Sequence, residues 1–405
     1  MKILLVTRGS QGDIYPYLRL AKELMARGHT VALNLPEAFA EQAEGANIPY
    51  MTQGNDDING MMANELDIKD LLSWTRRVID NQFEELVPVL SEYDILVASN
   101  TEFAAPSIAE YLKKPYLRTA YGPLMPSRTI PPPVFPWPVP HPVIKPAVLW
   151  SLLNGGLNLM VKKTLNKRRA ALNMPPILDQ ADHAPANAFN YLMYSASLGS
   201  VDHNWSYKWA IGGYIFNDDM PYNKSIYQNF LEFIQKDGKK AVFFTLGSCK
   251  NNEHERFAEK LFAIIKTHGY KLIIGSGWCR LGSTLPLHDD LFLLDSVVPH
   301  NLVFPHCSAI IHHGGVGTTH NAARFGKPQM IQPLLLDQWY WAEQTRKLGA
   351  GPGKVDMKRG GSDLEKKVLD LVNAEKYAQK AAGLGEKIRA ERGLENACAQ
   401  IENCA

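Results

Sequence analysis

The chain has 405 residues, 45% hydrophobic and 21% charged, with 43 basic against 41 acidic side chains and a formal net charge of +2. That length exceeds one ordinary core and predicts two domains of roughly 200 residues each, and the composition excludes a disordered chain. Charge so near balance gives no reason to expect a nucleic-acid partner.

"ILLVT" at 3–7 is an apolar run bounded by Gly9 and Gly12, as expected for a strand buried on both faces. In the "YPYLRLAKELMARGHTV" that follows, Tyr17, Leu20, Leu24 and Met25 fall at helical spacing and Gly28 stands where the helix would stop. "TVALNL" (30–35) reads as the next strand, which completes a βαβ unit of a parallel sheet. "DILVAS" (94–99) and "KPYLRTA" (114–120) read as later strands of that sheet. Residues 123–146, "PLMPSRTIPPPVFPWPVPHPVIKP", carry too much proline for helix or central strand and predict a stiff extended loop. Phe135 and Trp137 within it favour a pocket wall over a plain linker. "LNLMVKKTLNKRRAALN" (157–173) is a basic helix in which Lys162, Lys163, Lys167, Arg168 and Arg169 form a solvated face, with membrane-surface contact as the lesser option.

"WAIGGYIF" (209–216) ends the first half, so residues 1–216 form one domain and 217–240 a polar connector. A second alternating set runs through "AVFFTLGS" (241–248), the helical "HERFAEKLFAIIKTHG" (254–269), "KLIIGSG" (271–277), "LFLLD" (291–295), "SAIIHH" (308–313) and "QMIQP" (329–333). Residues 241–385 make the second domain and 386–405 a terminal helix. The fold class is α/β, with two Rossmann-like parallel-sheet domains facing a central cleft. Five cysteines without a CxxC pair, an N-terminus that reads as a strand rather than a signal peptide, and no apolar stretch of about 18 residues predict a reduced, cytoplasmic protein.

"SAIIHHGGVGTTHNAARFG" places two histidines at the carboxyl end of a strand, then bare glycine backbone, then a helix start. A helix N-terminus offers unpaired N–H groups and roughly half a positive charge, so with glycine-exposed backbone it can hold a diphosphate without metal. Neighbours on a strand point to opposite faces, so His312 and His313 do not converge on one ion; His312 is expected in the core and His313 at the ligand. A plain tight turn would explain the glycines but not the histidine and threonines beside them.

"HHGGVGTT…GKPQMIQPLLLDQ" resembles the donor signature of glycosyltransferase family 1, in its bacterial branch acting on antibiotics, sterols and other small aglycones. "TRGSQGDIYPYLRLAKELMARGHTV", "TLGS" (245–248), "GSGWCRL" (275–281) and "VVPHNLVFPHC" (297–307) are similar to that branch in order and spacing, and 45–200 only loosely so. The resemblance implies the GT-B architecture, with the terminal helix crossing back to the first domain. It places Ser248, His313, Gly314, Gly315, Gly317 and Thr318 on the diphosphate, Asp337 and Gln338 on the sugar hydroxyls, and Trp278 and the Val298 backbone at the base. It makes Asp13 the base that deprotonates the acceptor and sets Ser10 near the transferred sugar. The competing role for Asp13 is a helix cap, and the histidine of plant-type members has no counterpart in this tract. Tyr121, Phe135, Trp137 and Trp150 suggest an apolar acceptor.

The expected reaction is inverting and metal-independent hexosyl transfer from a nucleoside diphosphate sugar such as UDP-glucose, with no cofactor; no D-any-D triplet occurs. The rivals are a nucleotide-sugar 2-epimerase of the same fold, a non-catalytic nucleotide-sugar-binding protein, and a lipid-directed transferase.

Overall fold

The computed structural model describes residues 1–53, 68–134, 144–247, 252–276, 280–296, 298–354 and 363–405. In the first half, chain order is β1 (Lys2–Val6), α1 (Gln11–Ala26), β2 (Thr30–Leu35), α2 (Ala40–Gly45), β3 (Tyr50–Thr52), α3 (Ile68–Leu90), β4 (Ile95–Ser99), α4 (Ala105–Leu112), β5 (Tyr116–Ala120), α5 (Pro146–Ala171), α6 (Gln180–Ala186), β6 (Phe189–Leu192) and β7 (Trp209–Ile211). The second half follows with α7 (Lys224–Gln235), β8 (Ala241–Thr245), α8 (Asn252–Thr267), β9 (Lys271–Gly275), β10 (Leu291–Leu294), α9 (His300–Val303), β11 (Ala309–His312), α10 (Val316–Arg324), β12 (Gln329–Ile331), α11 (Gln338–Lys347), α12 (Leu364–Asn373), α13 (Glu375–Arg389) and α14 (Gly393–Cys404).

Ile3 to Val6 are fully buried, because helices cover both faces of a parallel sheet. Tyr17, Leu20 and Leu24 form the buried stripe of α1, and Gly28, at φ +88°, turns the chain out of it. The helix begins at Gln11, ahead of the expected Tyr15, because Ser10 and Asp13 cap its first turn (below).

Among the described residues the strands form two sheets, in the orders β3-β2-β1-β4-β5-β6-β7 and β10-β9-β8-β11-β12, parallel throughout. In the first sheet the order reverses between β1 and β4, in the second between β8 and β11. Ligands of open parallel sheets bind outside the carboxyl ends of the strands at such a switch point. The turns after β1, Thr7–Ser10, and after β11, His313–Gly315, lie at these two places.

The connector assigned to 217–240 holds α7, capped by Asn223, whose side chain accepts from the N–H groups of Ser225 and Ile226. The chain end also differs from a single helix starting at 386: α13 runs on to Arg389, and a break at 390–392 leads into α14. Helix α14 packs on α1 of the first half, with Glu402 meeting Arg27 and His29 and the Asn396 amide donating to the Gly212 carbonyl. One apolar cluster spans both halves, joining Tyr17, Tyr194 and Tyr214 to Tyr340, Trp341 and Ile388.

Candidate active site at the facing switch points

Strand β11 delivers the histidine pair, and its alternation decides their fates. His312 is fully buried, its Nε2 3.0 Å or less from a partner: it lies 2.9 Å from Gln329 Oε1, while Nδ1 accepts the Gly314 N–H at 3.0 Å. Burial pushes its pKa down to about 3, so the ring is neutral and its role is internal. The Gly314 N–H therefore points back at His312 instead of outward to a diphosphate. Glycine is required there for another reason: φ is +98°, and a Cβ would lie 2.6 Å from Ile331 and 3.1 Å from the Gln338 carbonyl.

His313 packs its ring against glycine backbone on both sides; a Cβ on Gly247 would come within 2.9 Å of it and one on Gly315 within 2.5 Å. Its Nδ1 is buried with no hydrogen-bond partner among the described residues. Burial holds its pKa down at about 4, with a backbone hydrogen bond at Thr245 opposing.

Gly315 caps α10, and the Thr319 N–H closes the first helical bond onto its carbonyl at 3.0 Å. The N–H groups of Val316, Gly317 and Thr318 precede that bond, and the helix itself offers them no acceptor. A Cβ on Gly317 would sit 2.9 Å from the Tyr214 hydroxyl and 4.0 Å from the Cα of Gly12. The first turn of α10 therefore abuts the first turn of α1.

On that opposite side Ser10 holds the N-cap position of α1, and Asp13, third residue of the helix, completes a capping box with it. Ser10 donates its N–H and its hydroxyl to Asp13 Oδ2 at 2.8 and 3.1 Å. Asp13 Oδ1 has no hydrogen-bond partner among the described residues. Gly9, at φ +128°, has no room for a Cβ beside Oδ2, so the turn requires glycine. Burial lifts the Asp13 carboxyl to about pKa 6; the Ser10 bonds oppose the lift and the Asp337 carboxylate adds to it. The two acidic groups thus sense each other across the halves.

Asp337 stands at the N-cap position of α11, where its side chain accepts the Trp341 indole N–H at 2.8 Å; burial raises it to about 6 as well. Gln338 is buried, and its Oε1 takes the N–H groups of Leu334 and Leu335 at 2.8 and 3.1 Å, so that oxygen shapes its own loop. Val298 is buried against Phe304 and Ile310.

Tyr121, expected on the acceptor, is buried and donates its hydroxyl to the Asp13 backbone carbonyl at 3.0 Å, bracing the turn that carries the carboxylate. Trp150 is likewise core, its indole donating to the Ile130 carbonyl at 2.8 Å. Ser248, Trp278, Phe135 and Trp137 lie outside the described residues. The basic face loses two members: Arg168 pairs with Asp80 and Glu84, and the buried Arg169 pairs with Glu110.

Residues that sequence reasoning passed over hold the halves together. His320, one turn into α10, accepts the Ser195 N–H at 3.1 Å, donates to the Val316 carbonyl and stacks on Tyr214 at 4.7 Å. Ser195 donates to Glu391, Ser200 N–H to the Tyr340 hydroxyl, and Arg324 pairs with Asp218 while covering the Phe216 ring. The spacing of Val316, His320 and Ala323 marked a buried helix face, but nothing local named its partners.

Two poised carboxylates facing a helix N-terminus can withdraw a proton on one side of a bound group and stabilise growing negative charge on the other. Among the described residues no cluster of three His, Cys, Asp or Glu side chains is placed to hold a metal ion, and no helix is long and apolar enough to cross a membrane.

Residues 3–131 match the glycosyltransferase family 28 N-terminal domain, and residues 283–400 match the erythromycin biosynthesis protein CIII-like C-terminal domain. The chain is 29% identical to the O-mycaminosyltylonolide 6-deoxyallosyltransferase of Streptomyces fradiae, across 100% of this chain and 98% of that protein. Glycosyltransferase GtfE of Amycolatopsis orientalis is 29% identical over 87% of this chain and 85% of its own. A sterol 3-beta-glucosyltransferase of Yarrowia lipolytica is 28% identical over 99% of the chain, which spans only 28% of that longer protein. Among solved structures, the kitacinnamycin glycosyltransferase superposes with a TM-score of 0.75 at 17% identity, covering 99% of this chain and 98% of its own. Glycosyltransferase VinC in complex with dTDP superposes with a TM-score of 0.71 at 16% identity, covering 100% and 99%. With both halves matched to glycosyltransferase domains, full-length relatives that are glycosyltransferases and a shared two-sheet fold, the chain belongs to the GT-B glycosyltransferases, in the branch of the antibiotic and sterol enzymes.

Proposed function

We propose that the protein transfers a hexose from a nucleoside diphosphate sugar to a hydroxyl of a small, largely apolar acceptor, with inversion at the anomeric carbon and without a metal ion. The observation that carries this reading is the apposition of the α10 first turn, with the N–H groups of Val316, Gly317 and Thr318, to the α1 turn that holds Asp13.

Sugar transfer passes through an oxocarbenium-like state while negative charge builds on the departing diphosphate. The Val316, Gly317 and Thr318 N–H groups face that growing charge, so they favour the transition state over the ground state. His313, neutral at physiological pH, adds a hydrogen bond. Gly314 contributes shape, and Gly315 both shape and the carbonyl that starts the helix. Asp337 accepts from the sugar hydroxyls with the oxygen that Trp341 leaves free, and Gln338, whose Oε1 is taken by Leu334 and Leu335, donates to them through its Nε2. Asp13 Oδ1 takes the acceptor proton, while Oδ2 stays bonded to Ser10. One base and no enzyme nucleophile make a single displacement, so an α-linked donor yields a β-linked product.

UDP-glucose is the first donor to test. Thymidine donors come second, because structural neighbours such as VinC carry dTDP. The sterol and tylonolide relatives support acceptors that are polycyclic or macrocyclic and apolar. The matched relatives are sugar transferases, which gives the epimerase alternative no support. A thermal-shift panel of nucleotide sugars selects the donor, and mass spectrometry with mixed acceptors then detects the product, whose anomeric coupling in NMR reports the stereochemistry. Donor turnover without an acceptor, or a product that retains the donor configuration, overturns the proposal.

A further inference from the structure

Helix α5 buries Leu149, Trp150, Val161, Leu165 and Arg169 against α3 and α6. Its opposite face is unusual for a soluble helix: Val148, Leu152 and Leu159 are 49%, 61% and 84% exposed. These positions, with Lys163 and Lys167 beyond them, are separated by four, seven, four and four residues and so share one stripe. Leu178, 86% exposed, joins it from the side. The segment bearing it runs back along α5, where Asn166 donates to the Ile177 carbonyl, Lys162 to the Leu178 carbonyl and Asn158 to Asp179.

Charge tells what such a face would meet. Residues 146–171 contain no Asp or Glu and five basic side chains. Arg168 and Arg169 are engaged with Asp80, Glu84 and Glu110, whereas Lys163 and Lys167 are exposed and have no acidic partner among the described residues. The acids of the neighbouring α6 region are engaged too: Asp179 takes Asn158 and the Ala181 N–H, and Asp182 takes Tyr207. We propose that this stripe, Leu152, Leu159 and Leu178 with Lys163 and Lys167, is a docking surface for an anionic lipid bilayer. Leucines enter the acyl boundary while lysines one and two turns along reach the headgroups, the arrangement of helices that lie in a membrane interface. A second copy of the chain fits less well, since the helix itself supplies no acid to meet the lysines.

The surface stands on α5 and the segment that bears Leu178, and it is independent of the transferase reading. The test is cosedimentation of the full chain with vesicles of phosphatidylcholine alone or mixed with phosphatidylglycerol. Binding is expected to the mixed vesicles only, and to fade as salt rises. Lys163→Glu/Lys167→Glu should weaken it by at least about 25-fold, about fivefold for each lysine lost from the surface. Leu152→Ser/Leu159→Ser should weaken it as well, and both pairs change exposed residues outside the cleft. Absence of binding to mixed vesicles, or unchanged binding by either double variant, overturns the proposal. So does self-association in analytical ultracentrifugation that Leu159→Ser abolishes, which would make the face a contact between copies.

Discussion

Replacing Asp13 by asparagine separates the capping contact that the structure shows from the proposed role as base. Oδ2 receives the Ser10 N–H and hydroxyl, which caps α1, and an asparagine oxygen can still receive them. The carboxyl is held near pKa 6 chiefly by burial, which suits a base working near neutrality, and asparagine removes that function. A lift from 3.8 to about 6 corresponds to about 3 kcal/mol against the ionised form. The raised value means that the folded state holds the proton where the unfolded chain has released it. The stability this group contributes is therefore fully present below about pH 4 and lost as pH rises through about 6. Above that window Asp13→Asn is expected to melt no lower than the parent, and by up to a few degrees higher. Its kcat/KM with an aliphatic alcohol acceptor should fall by about 10²–10⁴-fold, and the acid limb near pH 6 should vanish. A phenol is the weaker probe because it can ionise unaided. Asp337→Asn, which removes the like charge, should move the parent's acid limb downward by less than burial raised it. Turnover of a folded Asp13→Asn variant within tenfold of the parent, or an acid limb that persists in it, would refute the assignment.

Gly315→Ala places a Cβ 2.5 Å from His313 Nε2, so the ring must leave its seat; at least about a tenfold loss of nucleotide affinity, or 1.4 kcal/mol, is expected by calorimetry, and an unchanged Kd removes this turn from the donor site. His320→Leu strands the buried Ser195 N–H and breaks the stack on Tyr214; urea unfolding should show a loss of about 1–3 kcal/mol, whereas no measurable loss would mean that this contact does not bind the halves. Chelation should leave the rate unchanged if, as proposed, backbone N–H groups rather than an ion face the diphosphate; activity lost to chelator and restored by a divalent cation would contradict the mechanism.

The central strands of both sheets were legible because burial on both faces leaves unbroken apolar runs such as Ile3–Val6 and Ala309–Ile311. Their carboxyl ends were overextended: Gly247, Ser276 and His313 leave the ladder to form the turns where ligands bind. Strand β6 escaped notice because Asn190 interrupts it, and only the fold shows its amide satisfied by the Pro185, Ala188 and Lys208 carbonyls. Helix α7 was hidden in a connector whose polar opening is its own cap. The opposite fates of His312 and His313 could be read from the two-residue period of a strand. That His312 would engage the Gly314 N–H could not, since it depends on the φ of +98° at Gly314. Nor could the His320–Ser195 bond, made across 125 residues.

Each half supplies only part of the chemistry. The first sheet brings Asp13 to its switch point and the second brings the α10 N-terminus and Asp337 to its own, so the proposed base and the proposed anion site form a pair only where the two turns meet. That meeting is tightly built. Gly317 leaves no space for a methyl group beside Tyr214, Trp341 fills the seam between Tyr194 and Asp337, and His320 ties α10 to Ser195. Such packing fixes the distance between Asp13 and the first-turn N–H groups of α10 before substrates arrive, the alignment on which the proposed single displacement depends. The same packing leaves Asp13 poorly solvated, the chief reason its carboxyl is raised, and sets it close enough to Asp337 for that carboxylate of the opposite half to add to the lift. Changes that loosen the seam, at His320 or Trp341, should therefore move the pH profile as well as the stability.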